Sequence, residues 1–370
     1  MLPCMPDKPF TRRSFMATTS VAPAVAATRH PVVVPNVLFS DTKPAGEVLR
    51  IVTMYPFEPA EARKITAASS KTKIELTICR SRDEFHQKVQ DAEVVYGDVR
   101  ADTLAVAKKL QWVQSGEAGM ENMDPVMRQS PVVLTNYQRI FAPGISETAI
   151  GMLLCLTRGI AKYYMPQFYK QRTMQHVGTP KSAHHTELVG RTMGIVGMGG
   201  MGTAIARRAY YGFDMRVVAT DAKPLPRPDF VAELHDPGWF PEMVPQVDVL
   251  VGAAPLTPLT ERMFNEKVFR SMKPTAHFLA MSRGKLYDDM ALVRALQEGW
   301  IAGAGLDVFP IEPPPSSHPI FDCPNVVMTA HTSGWSPDRQ VRLIDLFAEN
   351  VRRYAEGLPL MNVVDKQRGY

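Results

Sequence analysis

Cysteine is scarce in this chain. Cys4, Cys79, Cys155 and Cys323 are the only four, and no two form a C-x-x-C pair. That spacing argues against a disulfide framework and offers no cysteine-based metal site. Long apolar runs are also missing. None approaches the ~18 residues that a transmembrane helix needs, so membrane insertion is not expected. Nor is there a strong charge of one sign. The formal charge is +5, but Lys8, Arg12, Arg13 and Arg29 against Asp7 put most of it in residues 1–30. No basic run interleaved with aromatics occurs, so nucleic-acid binding lacks its electrostatic footprint. His184-His185 is the one tempting metal candidate. Neighbouring side chains on a loop diverge and no third ligand accompanies them, so no metal is expected.

What is present is a length of 370 residues, enough for two domains of ordinary size. Short apolar runs at 48–53, 73–79, 92–96, 111–114 and 132–135 alternate with helical segments such as 102–110. That alternation predicts a small α/β domain of repeated βα units. A helical stretch from Pro143 to Tyr164 follows, and a second, Asp338 to Tyr354, closes the chain. The expected architecture is α/β, with two Rossmann-like doubly wound parallel-sheet domains and a cleft between them. Residues 46–150 plus 333–370 would form one flavodoxin-like, substrate-holding domain, and 151–332 the nucleotide domain.

The first 45 residues differ from the rest. Thr11-Arg12-Arg13-Ser14-Phe15-Met16 resembles a twin-arginine export motif, ahead of a weakly apolar stretch and the small-residue pattern Ala24-Val25-Ala26. Residues 1–45 are therefore expected to be a leader and linker, cleaved near 26, on an exported or periplasmic protein. The alternatives are an organellar transit peptide, or a mis-assigned start on a cytoplasmic one.

The strongest local signal is Gly197-Met198-Gly199-Gly200-Met201-Gly202. It follows a buried-strand pattern, 192–196, and precedes an alanine-rich helical run. That is the context a G-x-G-x-x-G match needs before it counts. Gly197 would make the tight turn, Gly199 would let backbone approach a pyrophosphate, and Gly202 would let helix and strand pack. The helix N-terminus, with Gly200 and Met201 in its first turn, offers N–H groups to the phosphates. Asp221 ends the next apolar run, nineteen residues past Gly202. A carboxylate there accepts from a ribose 2′-hydroxyl and repels a 2′-phosphate, which favours NAD over NADP. Lys223 partly offsets that repulsion.

Three later apolar runs end in polar residues: Arg283 after one, Asp307 and then Glu312 after the next, and His331 after the last. In open parallel sheets ligands bind beyond the carboxyl ends of the strands, so these residues are expected to share a crevice. Histidine titrates near neutrality, a carboxylate beside it favours and orients the imidazolium, and guanidinium grips a carboxylate through two parallel bonds.

Taken together, these motifs resemble the D-isomer-specific 2-hydroxyacid dehydrogenase family, over roughly residues 48 to 365. The likeness rests on the glycine loop, Arg283-Gly284, the Asp307-Val308-Phe309-x-x-Glu312-Pro313 segment and Thr329-x-His331. It extends to Ala142-Pro143-Gly144-Ile145-Ser146-Glu147, similar to the family's entry to its interdomain helix. The resemblance implies catalytic roles for three residues: His331 as acid/base, Glu312 as its partner, and Arg283 as substrate anchor. It adds Ala254, Pro255 and Asp307 to the cofactor set. The loop 115–119, with Ala118 and Gly119, would cup the substrate carboxylate, although a plain turn explains those glycines nearly as well. The implied function is hydride transfer between NAD(H) and a small 2-hydroxy or 2-oxo acid, of the glyoxylate or hydroxypyruvate type, in a homodimer. The alternative is an NAD(H)-sensing protein without turnover, similar to the C-terminal-binding-protein corepressors. One departure stands out: the family's asparagine three residues before the arginine is Ala280 here.

Overall fold

The computed structural model describes residues 48–173 and 185–370. The leader and His184 lie outside the described residues. The first sheet is built from β1 (Val48–Thr53), α1 (Pro59–Thr66), β2 (Lys73–Ile78), α2 (Arg82–Lys88) and β3 (Val94–Tyr96). It continues through α3 (Ala101–Val106), β4 (Trp112–Gln114), α4 (Pro125–Gln129) and β5 (Val133–Thr135). Its strand order is β2-β1-β3-β4-β5, with every pairing parallel.

Next comes α5 (Ala142–Thr157), which leads to the second sheet. There β6 (Thr192–Val196), α6 (Gly200–Phe213), β7 (Arg216–Thr220) and β8 (Glu233–His235) form one half. The other half holds α7 (Phe240–Met243), β9 (Val249–Gly252), α8 (Glu266–Ser271), β10 (His277–Ala280), α9 (Asp289–Gln297), β11 (Gly303–Leu306) and β12 (Val326–Met328). Its order is β12-β11-β10-β9-β6-β7-β8, again all parallel. The expected two parallel α/β sheets are therefore both present. Strands covered on both faces need continuous apolar runs, and β9, β10 and β11 are buried at every residue. Glycine supplies the thinness where helix meets sheet: a Cβ on Gly305 would meet Met152 of α5 at 3.0 Å.

After the second sheet the chain returns to the first through α10 (Pro337–Ala355). Pro337 opens this helix and the Ser336 hydroxyl accepts from the Arg339 N–H. Its buried face, including Leu343, Ile344, Phe347, Val351 and Tyr354, shares one core with Leu49, Ile51, Tyr96 and Trp112. Thr135 of β5 then bridges to Val363 in antiparallel fashion.

One helix differs from expectation. The pattern predicts helix from Pro143 to Tyr164, but α5 stops at Thr157 and Gly159 follows in the left-handed region at φ 66°. A left-handed residue just past the last turn is an ordinary helix stop. Beyond it the backbone resumes as two π-helical turns, Ile160–Tyr164 and Gln167–Gln171. No described helix is long and apolar enough to cross a membrane.

His277 opens β10 and is only 7% exposed. Burial pushes its ring down from 6.5 to about 4. The unfolded chain therefore binds more protons than the folded one between these values. Stability is full above about pH 6.5 and is lost as pH falls toward 4. His277→Gln should make stability less sensitive to pH by roughly 2–3 kcal/mol across that window. Urea titrations of both proteins at pH 4.5 and 7.5 would check this; equal pH dependence would refute it.

Candidate active site

The second sheet reverses strand order between β6 and β9, and ligand crevices form at such switch points. The glycine loop leaves β6 there. Gly197 adopts φ 97°, with the backbone of Ala253 and Ala254 2.8 Å from where its Cβ would sit. A Cβ on Gly202 would lie 1.9 Å from the Gly197 carbonyl oxygen, so only glycine lets α6 start this close to its strand. Gly199 is the N-cap of α6, and a Cβ there would meet nothing within 4 Å. That open ground beside unpaired helix N–H groups fits a dinucleotide pyrophosphate. Gly200 faces the other sheet's connection, where Arg139 crosses it, and Met201 is half-buried. Ala254 is buried and Pro255 exposed, both just beyond β9.

Past β7, the Asp221 carboxylate accepts from the N–H groups of Met198 and Lys223, each at 2.7 Å. It thus stands against the glycine loop, at the corner expected for a ribose. The Lys223 ammonium lies 4.5 Å from the centre of the Tyr370 ring, and burial lowers its pKa.

The remaining groups cluster beyond β10, β11 and β12. Arg283 precedes a single 3-10 turn at Gly284. A Cβ on Gly284 would sit 1.9 Å from the Phe309 carbonyl carbon, so this glycine lets the two loops cross. The crossing brings Arg283 beside the segment that carries Glu312. There Oε1 of Glu312 accepts from the Phe309 N–H at 2.9 Å, and Oε2 lies 2.8 Å from His331 Nδ1. His331 itself is left-handed, at φ 54°, a conformation that L side chains adopt rarely and at a cost.

Asp307 explains how that turn is held. It is 1% exposed. Its carboxylate accepts from the Thr329 hydroxyl at 2.6 Å, the N–H groups of Thr332 and Ser333, and the Ser333 hydroxyl. Its own carbonyl accepts from the His331 N–H at 2.8 Å. The Asp307 carboxylate thus ties together the two sides of the loop that holds His331.

Arg283, Glu312 and His331 line one cavity of about 880 Å³. Gly97, Asp98, Ser115, Glu117 and Gly119 from the first sheet's loops form the facing wall. In the 115–119 loop, Ala118 gives its carbonyl to the Asn136 side chain at 2.7 Å. Among the described residues no acceptor takes the N–H of Ala118 or Gly119. Tyr55 and Phe57 pack against Tyr96 in an aromatic cluster outside that cavity.

Sequence reasoning missed Glu121. Its Oε1 accepts from Arg283 Nε at 2.5 Å. Burial raises the pKa of this acid, but the hydrogen bond and charge of Arg283 outweigh it and hold Glu121 below the usual range. The only local sign was its place two residues past Gly119. The contact of Arg139 with Gly200 has no sequence signature.

The profile of the D-isomer specific 2-hydroxyacid dehydrogenase NAD-binding domain matches residues 150–333. A glyoxylate reductase of Korarchaeum cryptofilum is 32% identical over 294 residues, covering 78% of this chain and 87% of that one. The chain belongs to the D-isomer-specific 2-hydroxyacid dehydrogenase family. A Pyrococcus furiosus glyoxylate reductase is 31% identical, covering 77% of this chain and 86% of its own. A family protein of solved structure from Aeromonas salmonicida superposes with a TM-score of 0.69 at 28% identity, over 86% of this chain and 99% of that one. As a member of this family the protein is an NAD(P)-dependent oxidoreductase that moves hydride between a 2-oxo acid and a 2-hydroxy acid.

A Cβ on Gly119 would lie 1.8 Å from Arg283 Nη2. Gly119→Ala should therefore push the guanidinium aside and raise KM for the 2-oxo acid by about tenfold or more, since small misplacements of a binding group are costly. NADH affinity should not change. Steady-state kinetics with fluorescence titration of NADH would check both, and an unaltered KM would contradict the geometry.

Proposed function

We propose that this dehydrogenase reduces a small 2-oxo acid of the glyoxylate or hydroxypyruvate class, using NADH, and that Arg283, Glu312 and His331 carry the reaction. The observation behind this reading is the His331–Glu312 pair at 2.8 Å, in one cavity with Arg283. Glu312 engages Nδ1, which leaves Nε2 of the same ring to meet the substrate oxygen. Glu312 is itself fixed by the Phe309 N–H, so the imidazole is oriented from behind. Arg283 receives the substrate carboxylate, with the N–H of Gly119, which lines the same cavity, beside it. When bound, the nicotinamide supplies the hydride for C2. His331 gives its proton to the oxygen as the carbonyl becomes an alcohol, and takes it back in the reverse direction. The relatives' function, glyoxylate reduction, agrees with a small substrate.

NAD is favoured over NADP because Asp221 sets a carboxylate at the ribose corner. Homodimerisation is supported by the apolar surface after α5, where Ile160, Met165, Phe168 and Tyr169 are exposed. Light scattering would test it; a monomer at micromolar concentration would refute it. The Arg12-Arg13 motif supports export, for which N-terminal sequencing of the mature protein is the test: an intact leader after secretion conditions would oppose it.

His331→Ala should lower kcat by ~10²–10⁴ with NADH binding nearly intact. Wild-type kinetics in that variant would remove the assignment. NADH should exceed NADPH in kcat/KM by about tenfold or more, which corresponds to at least ~1.4 kcal/mol. Asp221→Ala should narrow that gap, and a wild-type ratio in the variant would show that Asp221 does not set the preference.

A further inference from the structure

We infer that Glu121 is a positioning residue for the substrate anchor: it clasps Arg283 across the cavity so that Nη2 lies over the Gly119 backbone, where a monocarboxylate meets guanidinium and backbone N–H together. This rests on the reading that Arg283 takes the substrate carboxylate. Glu121 belongs to the loop after β4 and Arg283 to the loop after β10, so their bond joins the two walls. Two of the three guanidinium nitrogens are engaged by the chain, Nε by Glu121 and Nη1 by the Ser282 carbonyl at 2.8 Å. Those two bonds fix the plane of the guanidinium. The third nitrogen, Nη2, is the one that approaches Gly119 closely enough to exclude a side chain there. Oε2 of Glu121 lies 2.4 Å from the same excluded position, so glycine, acid and arginine meet at one point.

A carboxylate placed there has one rival role. It could compete with the substrate for Arg283, and then its removal would tighten substrate binding. The two roles give opposite signs. The clasp is favoured because Glu121 engages Nε and leaves Nη2 toward the loop whose N–H groups are free.

The test uses the whole protein with NADH and either glyoxylate or hydroxypyruvate. Glu121→Ala should raise KM for the acid about tenfold or more, keep kcat within about threefold and leave NADH affinity unchanged, since a misplaced anchor costs binding before chemistry. Glu121→Gln retains an oxygen that can accept from Nε, and should recover part of the lost KM. The inhibition constant of oxalate, an unreactive carboxylate probe, should follow KM in both variants. A KM that is unchanged or lower in Glu121→Ala would overturn the inference, as would loss of NADH binding, which would mark a general structural role. If the wild type oxidises no NADH with either acid, the reaction reading itself falls and the inference with it. Turnover by the wild type with an unmoved KM in the variant removes the inference alone.

Discussion

The active-site turn depends on a buried carboxylate. Asp307 ends up almost wholly out of water, and a polar group there is tolerated only when hydrogen bonds replace its hydration. Thr329, Thr332 and Ser333 supply those bonds from both sides of His331. The same residue's carbonyl takes the His331 N–H. A left-handed histidine is an unfavourable local conformation, and a network that binds the residues on both sides of it is the kind of surrounding that sustains one. Removing the carboxylate would do more than delete one contact, since the buried Ser333 donors and the part-buried donors of Thr329 and Thr332 would lose their acceptor.

That network acts within a frame set by parallel sheets. In each sheet the strand order turns about its first strand, β1 in one and β6 in the other, so each presents a crevice at its carboxyl edge. The cavity takes its walls from loops at these edges. Where loops must cross, side chains are absent. Gly202 against Gly197, and Gly284 against Phe309, are contacts that any Cβ would abolish. The first lets α6 aim its N-terminus at the cofactor site. The second carries Arg283 to the segment holding Glu312. Cofactor site and anchor therefore depend on the same device, a backbone crossing that tolerates no side chain.

Much of this was legible in the sequence, because the signals were local. The strand runs ending at Thr53, Val196 and Thr220 are apolar stretches with clear polar or glycine stops, and the strands end there. Arg283, Glu312 and His331 could be placed in one crevice because each follows such a run. Other features needed the third dimension. Helical periodicity continued past Thr157, yet Gly159 turned left-handed and the helix stopped. The apolar pattern after Gly159 is compatible with helix, so only the tertiary setting could choose. The packing of Tyr55 and Phe57 against Tyr96 joins residues some forty positions apart. The partners of Asp307, on the loop that holds His331, lie more than twenty residues away in sequence. Glu121 pairs with a residue 162 positions distant, a separation that no local pattern encodes.

The two charge pairs of the site differ in a way that follows from where their members sit. His331 and Glu312 both stand on loops of the second sheet, and Glu312 is tied to the backbone of its own segment. Their geometry is internal to one rigid layer, so the orientation of the imidazole does not depend on the facing wall. Arg283 and Glu121 come from opposite walls. Any change in the width of the cavity stretches that pair first, while leaving the histidine and its carboxylate in register. Under the proposed roles, the substrate anchor is held by a contact between the two walls and the acid/base group by contacts within one.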